Sequence, residues 1–183
     1  MLAGTLLVVP LPALYTVEDI RIAVQQIAAD ITRDYGSEPI LLVGVLKGSL
    51  YFLADLSREL GEHVTIDVIQ VSSYGKARES SGIVKILKDL DDTIEDKHVI
   101  LVEDIVDTGN TLSHLIDVFS TRRPKSLAIA ALLSKPAARK ISVKVNYVGY
   151  EIPNKFVVGY GLDDGEKYRN LPYIAVLPTG EPA

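Results

Sequence analysis

The segment VILVEDIVDTGNTL, residues 99–112, combines residue types that could bind a phosphorylated ligand. Branched apolar residues lead to two adjacent acids, Glu103 and Asp104, and a short loop with hydroxyl groups and a glycine follows. An amphipathic segment runs from Leu112 to Phe119 after this loop. This order predicts a buried strand, a turn, and a helix whose N-terminal N–H groups can hold an anion.

The loop from Asp107 to Thr111 suits a phosphate monoester. Gly109 would let the backbone approach the phosphate closely, and Thr108 and Thr111 offer hydroxyl donors beside the positive end of a helix dipole. An ordinary helix N-cap is the alternative interpretation of the same residues.

The acid pair Glu103 and Asp104 favours the ligand-binding interpretation. Two carboxylates beside a phosphate site would repel the ligand unless a divalent metal or sugar hydroxyls lie between them. The combination therefore predicts a ribose phosphate bound together with Mg²⁺. Neither a Walker A loop nor a G-x-G-x-x-G motif occurs in the sequence.

Two further apolar runs also end in polar residues. Residues 40–46 lead to Lys47, Gly48 and Ser49, and residues 127–133 lead to Ser134 and Lys135. In open α/β sheets, ligands bind outside the carboxyl ends of the strands. We therefore expect all three polar groups to lie at one edge of one sheet.

Alternating strands and helices predict an α/β fold with a doubly wound, mostly parallel sheet. Thr16 and Asp19 can begin a helix that continues to about Asp34, and a second helix is expected over residues 50–60. We predict one domain over residues 1–183. Its core spans about 37–135, and a small hood from about 1–15 and 136–183 covers the carboxyl edge of the sheet.

Composition narrows the class of protein further. The 183 residues are 48% hydrophobic with a mean hydropathy of +0.21, which favours a large core and an oligomer. A net charge of −5 and a pI near 5.2 argue against nonspecific binding of nucleic acid. The absence of cysteine excludes disulfides and thiolate chemistry, and the separated histidines indicate no zinc site.

The N-terminal apolar run is short, lacks a basic flank, and is interrupted by Pro10 and Pro12. This pattern is not that of a signal peptide, and no stretch approaches the roughly 18 apolar residues of a membrane span. We therefore expect a cytoplasmic protein without a membrane partner.

Several motifs of the sequence resemble those of a known family. VEDIVDTGNTL resembles the phosphoribosyl-pyrophosphate (PRPP) motif of type I phosphoribosyltransferases. LKGS, VSSYG, LLSKP and especially YEIPNKFVVGYGLDDGEKYRNLPYIAVL resemble the hypoxanthine-guanine phosphoribosyltransferases of that family. The resemblance extends from about residue 40 to residue 177.

The resemblance implies transfer of a phosphoribosyl group from PRPP to N9 of hypoxanthine or guanine, giving IMP or GMP and pyrophosphate. It assigns the 5′-phosphate to Asp107, Thr108, Gly109, Asn110 and Thr111. It also implies that Glu103 and Asp104 hold the ribose hydroxyls, directly or through Mg²⁺.

Pyrophosphate would be bound by Leu46, Lys47 and Gly48, with a cis peptide between the first two, and by Arg169. Ser73 and Tyr74 would lie on a lid that closes during the reaction and excludes water.

The purine would be bound by residues late in the chain. The resemblance implies that Lys135 donates to O6, that Phe156 stacks on the ring, and that the Val157 backbone contacts the ring edge. Asp163, counted with the purine-binding residues, would bind a second Mg²⁺ that bridges pyrophosphate, and Asp107 would act as general base at N7. The family also suggests a homodimer or homotetramer.

Several residues and the acceptor also allow other interpretations. Asn110 stands where some relatives have lysine, and Ser49 where many have glycine. Phe156 could be a core residue, Asp163 a turn residue, and Arg169 a surface ion-pair partner. The acceptor could be xanthine, uracil or adenine, or the chain could be a nucleic-acid-binding regulator with the same fold.

Overall fold

A computed structural model describes residues 11–73 and 84–177. In chain order, its first half contains β1 (Ala13–Tyr15), α1 (Val17–Tyr35), β2 (Ile40–Leu46), α2 (Leu50–Leu60), β3 (Val64–Ser73) and β4 (Val84–Lys88). Its second half contains β5 (His98–Val106), α3 (Asn110–Ser120), β6 (Ser126–Ser134), β7 (Tyr147–Glu151), β8 (Val157–Val158) and β9 (Ile174–Val176). A short 3₁₀ helix, Pro136–Ala138, follows β6.

The central sheet has six strands in the order β4-β3-β2-β5-β6-β7. All neighbouring pairs are parallel except β3 and β4, which are antiparallel. The first six residues of β2 are buried, as a central strand covered on both faces requires. The predicted α/β class with a mostly parallel sheet is confirmed.

Helices cover both faces of the sheet. The apolar sides of α1 and α2 contribute to one buried cluster and that of α3 to the other. Helix α1 begins as predicted, because Thr16 accepts a hydrogen bond from the Asp19 N–H and the Asp19 carboxylate accepts one from the Thr16 N–H.

A small second sheet, the hood, joins the two ends of the described chain. Its order is β1-β9-β8, and both pairings are antiparallel. Val157 and Ile174 of the hood belong to the same buried cluster as α1 and α2, so the hood packs on the central fold. The predicted core limit at residue 135 differs from the structure, since β7 pairs with β6 and extends the central sheet to Glu151.

Helix α3 begins at Asn110, two residues before the predicted amphipathic segment. Asn110 and Thr111 therefore belong to the first helical turn rather than to the loop. Of the helices in the described ranges, none combines the length and apolar character needed to cross a membrane.

Candidate active site

The carboxyl ends of β2, β5 and β6 lie side by side, because these three strands are neighbours in the parallel sheet. The Lys135 N–H donates to the Val106 carbonyl at 2.9 Å and fixes the end of β6 against the end of β5. The strand order thus brings together the three polar groups that the sequence places after these strands.

A glycine precedes helix α3. The N-cap residue is Gly109, with a left-handed φ of +86°, and this residue has no side chain to cap the helix. The Lys140 and Ile141 N–H groups donate to the Thr108 carbonyl at 2.9 and 3.1 Å, so the segment after β6 holds the loop in place. The Asn110 N–H donates to Thr108 Oγ1 at 3.4 Å, so one side chain of the loop accepts from the first turn of the helix.

The acid pair is divided between two cavities, because adjacent strand residues point to opposite faces. Glu103 lines a small cavity of about 90 Å³ together with the loop before α3. Asp104 lines a larger cavity of about 240 Å³ that also contains Lys135, Phe156 and Asp163. Asp107 lines both cavities and joins them.

The surroundings of Glu103 and Asp104 disfavour the ionised form of both carboxyl groups. Burial, followed by the charge of Asp104, raises the pKa of Glu103 well above its usual range. Burial raises the pKa of Asp104 to about 6, although hydrogen bonds oppose the shift, including one from the Ile105 N–H to Oδ1 at 2.8 Å. Within the described ranges, Oε2 of Glu103 is buried without a hydrogen-bond partner. These two carboxylates are suited to receive a cation or hydroxyl donors.

Lys135 and Asp107 form the central ion pair of the larger cavity. The Lys135 Nζ lies 3.3 Å from Asp107 Oδ2, and Lys135 is only 6% exposed. A lysine is rarely buried unless an anion or a ligand compensates its charge. Lys135 is therefore not a solvated surface lysine.

Phe156 and Val157 form the hood side of this cavity. Phe156 is 46% exposed to solvent, whereas Val157 is buried. An exposed aromatic ring beside a polar cavity offers a face on which a planar ligand can stack. Phe156 is thus not a core residue, and the alternative interpretation of its role is wrong.

The predicted pyrophosphate site contains Lys47, Gly48 and Arg169, and Gly48 lies against the Asp104 carboxylate. A Cβ atom built on Gly48 would lie 1.8 Å from Asp104 Oδ2, so only glycine allows this close approach. The peptide between Leu46 and Lys47 is cis, as the family resemblance implied. Arg169 is joined to Asp163 by a contact of 2.8 Å between Nη2 and Oδ1.

The three predicted metal ligands do not form one cluster. No group of three or more acids or histidines suited to a metal occurs in residues 11–73 and 84–177. Asp104 and Asp163 line the same cavity, whereas Glu103 faces the phosphate loop. Of the predicted lid residues, Ser73 ends β3, and Tyr74 lies outside the described residues.

Sequence reasoning missed two charged residues near the site. Arg139 donates from Nη2 to the Ser134 hydroxyl at 2.9 Å, and burial lowers its pKa. Glu166 contacts both Lys47 and Arg169. The spacing of Glu166 between Asp163 and Arg169 in the sequence was the available signal, since all three share one short loop.

The raised pKa of Asp104 predicts a pH-dependent cost to the stability of the metal-free protein. Its pKa is higher in the folded chain than in the unfolded chain, so stability falls as pH rises from about 4 to about 6. In EDTA at pH 8, Asp104→Asn is expected to raise the free energy of unfolding by about 2–3 kcal/mol, because the neutral amide avoids burial of a charge. Urea denaturation at pH 4 and pH 8 measures the difference.

Asp117→Asn is the matched control, because Asp117 is exposed on α3. We expect no difference from the unsubstituted protein at either pH. A gain for Asp104→Asn that is the same at pH 4 and pH 8 would refute the electrostatic explanation.

Comparison with known proteins gives a consistent result. The family described as the phosphoribosyl transferase domain matches residues 13–165. A hypoxanthine-guanine phosphoribosyltransferase of Bacillus subtilis is 48% identical over 160 residues, covering 87% of this chain and 89% of the relative.

Solved structures agree with the sequence comparison. A crystal structure of a hypoxanthine-guanine phosphoribosyltransferase from Bacillus anthracis is similar with a TM-score of 0.87 and 48% identity, covering 91% of this chain and 98% of that one. A hypoxanthine phosphoribosyltransferase from Staphylococcus aureus gives a TM-score of 0.89 at 44% identity and covers 96% of each chain.

Proposed function

The chain belongs to the hypoxanthine-guanine phosphoribosyltransferase family, and we propose that it transfers the phosphoribosyl group of PRPP to hypoxanthine or guanine. The products are IMP or GMP and pyrophosphate, a purine-salvage reaction. The observation that carries the proposal is the buried Lys135 beside Asp107, in a cavity next to the anion loop of α3. This arrangement offers a phosphate site and a site for a carbonyl-bearing ring at one sheet edge.

The phosphoribosyl donor would bind over the end of β5. The loop residues 107–109 and the first helical residues 110–111 hold the 5′-phosphate through backbone N–H groups and the hydroxyls of Thr108 and Thr111. Glu103 and Asp104 then face the ribose hydroxyls from their two cavities.

The purine would lie in the cavity between the sheet edge and the hood. Lys135 donates a hydrogen bond to O6, and the exposed ring of Phe156 stacks on the base. The Val157 backbone lies next to Phe156 and can contact the edge of the ring. A lysine donor favours a 6-oxopurine over adenine, because the 6-amino group of adenine is itself a donor.

Transfer forms a bond between N9 of the purine and C1 of the ribose, and breaks the bond from C1 to the pyrophosphate oxygen. The electron pair of that bond leaves with pyrophosphate, and the proton at N7 passes to the Asp107 carboxylate. The carboxylates at the end of β5 also stabilise the positive charge that develops on the sugar. Lys135 keeps Asp107 in position through their contact.

Mg²⁺ fits the donors at this site. Mg²⁺ prefers hard oxygen ligands and is usually held by one or two carboxylates together with substrate phosphates, so a preformed cluster of three acids is not required. Asp104 and Asp163 supply such carboxylates in one cavity, and the unpartnered oxygen of Glu103 is a further donor. When bound, the metal would neutralise the negative charge of PRPP and of pyrophosphate.

Pyrophosphate would leave through the region of Lys47, Gly48 and Arg169. The two cations attract the leaving group, and the absence of a side chain at Gly48 lets the phosphates approach the backbone. Ser73 and Tyr74 are proposed as parts of the lid that excludes water during transfer.

A direct assay tests the proposal. We expect absorbance changes with hypoxanthine or guanine when PRPP and Mg²⁺ are present, and none after EDTA is added. Xanthine and adenine, run in parallel, identify the acceptor. No turnover with any of the four bases, together with tight binding of RNA, would show that the chain is a nucleic-acid-binding regulator instead.

The assembly and location remain proposals. We propose a homodimer or homotetramer, which is supported by large apolar side chains that stay exposed on one protomer, including Leu50, Ile66 and Leu87. Light scattering at several protein concentrations would measure the mass. The cytoplasmic location is a prediction from the sequence.

A further inference from the structure

The carboxylate of Glu166 lies between the two cations that the proposed function assigns to pyrophosphate. Its Oε2 is 2.8 Å from Lys47 Nζ, and its Oε1 is 3.3 Å from Arg169 Nη2. An exposed glutamate in contact with two cations carries a negative charge at neutral pH. One anion thus connects two cations that lie far apart in the sequence.

The backbone holds Glu166 in this position. Its N–H donates to Asp163 Oδ2 at 2.8 Å, and its φ of +69° is left-handed, which is uncommon for a residue other than glycine. The same loop passes close to the Lys47 loop, because a Cβ built on Gly161 would lie 1.9 Å from the Gly48 carbonyl oxygen. Arg169 Nη1 also donates to the Gly161 carbonyl at 2.7 Å.

We propose that Glu166 is an internal competitor for pyrophosphate, whose carboxylate occupies Lys47 and Arg169 in the free enzyme and is displaced when the pyrophosphate group binds. This inference rests on the proposed function, which assigns both cations to that group. Glu166 is then a residue that determines affinity for PRPP and pyrophosphate without contacting the reacting atoms.

The exposure of these groups makes displacement feasible. The side chains of Lys47 and Glu166 are 56% and 64% exposed, and ion pairs between exposed groups are weak and screened by salt. A pyrophosphate group carries more negative charge than one carboxylate and can contact both cations at once. The carboxylate, which stays tethered nearby, can recover the cations when the product leaves, and so favours release of pyrophosphate.

Glu166→Gln tests the inference. Removing the competing charge is expected to tighten binding of inorganic pyrophosphate by about two- to tenfold at low ionic strength, since the exposed ion pair with Lys47 and the contact with the partly buried Arg169 are lost. Isothermal titration calorimetry with inorganic pyrophosphate at a fixed Mg²⁺ concentration measures this. The KM for PRPP should also fall, as tighter binding requires, and the KM for hypoxanthine should stay unchanged. The gain should shrink at high salt.

Asp164→Asn is the matched control. It makes the same change in net charge in the same loop, but the Asp164 side chain forms no ion pair with the residues that the structure describes. Its pyrophosphate affinity should equal that of the unsubstituted enzyme.

Unchanged or weaker affinity in Glu166→Gln would overturn the inference, as would equal tightening in both variants. If the unsubstituted protein transfers a phosphoribosyl group and binds pyrophosphate, those results would leave the proposed function intact. If it does neither, the proposed function fails and the inference fails with it.

Discussion

Asp107→Asn is expected to lower kcat by about 10²- to 10⁴-fold, the usual contribution of a positioned general base. The amide cannot accept the proton from N7, but it has nearly the same size as the carboxylate and retains one oxygen that can accept from Lys135. The 5′-phosphate is held mainly by backbone groups of the loop, so the KM for PRPP should change by less than about threefold. Steady-state kinetics with hypoxanthine separates the two constants.

The two roles of Asp107 predict different results. Asp107 lies in the loop before α3 and also reaches Lys135 in the purine cavity. A base that acts only in the transition state lowers kcat and kcat/KM equally, whereas a residue that only shapes the phosphate loop raises KM. A raised KM for PRPP with kcat nearly unchanged would therefore reduce Asp107 to a phosphate-loop residue.

Asp117→Asn provides the control for this comparison. It makes the same chemical change on an exposed position of α3, seven residues beyond the first residue of the helix at Asn110. Its kinetic constants should match those of the unsubstituted enzyme. A large loss of kcat in Asp117→Asn would mean that a substitution of this kind disturbs helix α3, whether or not a general base is removed.

The donor side of the site could be predicted from local sequence. β2 is a continuous apolar run and β5 contains one over residues 99–102, so their burial in a parallel sheet follows from composition, and the polar residues that come after these runs must then meet at one edge. The glycine and hydroxyl residues of the anion loop before α3 are also neighbours in sequence, although Lys140 and Ile141 hold the loop in place. This is why the positions of Lys47 and Asp107 agree with their predicted locations.

The acceptor side depends on contacts between distant segments. Lys135 is buried because the hood returns over the sheet edge and places Phe156 beside it. Pairing of β1 with β9 builds this hood, and no local pattern specifies the partner of a three-residue strand. Strand patterning placed Lys135 at the sheet edge, but only the resemblance to a family supplied its role and the role of Phe156.

The division of the acid pair shows the same limit. Strand alternation predicts that Glu103 and Asp104 point to opposite faces, but not which cavity each one reaches. That depends on Gly48, whose lack of a side chain lets the β2 loop approach Asp104, and on the position of the phosphate loop. Glu166 was missed for a related reason, since its partner Lys47 is 119 residues away.

Lys135→Met is expected to lower kcat/KM for hypoxanthine by about 10- to 150-fold, which corresponds to losing one hydrogen bond from a charged donor, about 1.5–3 kcal/mol. Methionine fills a similar volume in a position that is 6% exposed, so the cavity stays packed. The KM for PRPP should stay nearly constant, because Lys135 faces the purine cavity and does not line the phosphate loop. Kinetics with hypoxanthine and adenine measure the change.

A comparison of hypoxanthine with adenine tests whether Lys135 recognises O6. Discrimination against adenine should decrease in Lys135→Met, because the ammonium that favours a 6-oxo group is gone while Phe156 can still stack on either ring. The control is Lys155→Met, the same substitution at an exposed lysine next to Phe156, which should leave both bases unaffected. An equal proportional loss for hypoxanthine and adenine would mean that Lys135 supports Asp107 through their ion pair and does not recognise O6.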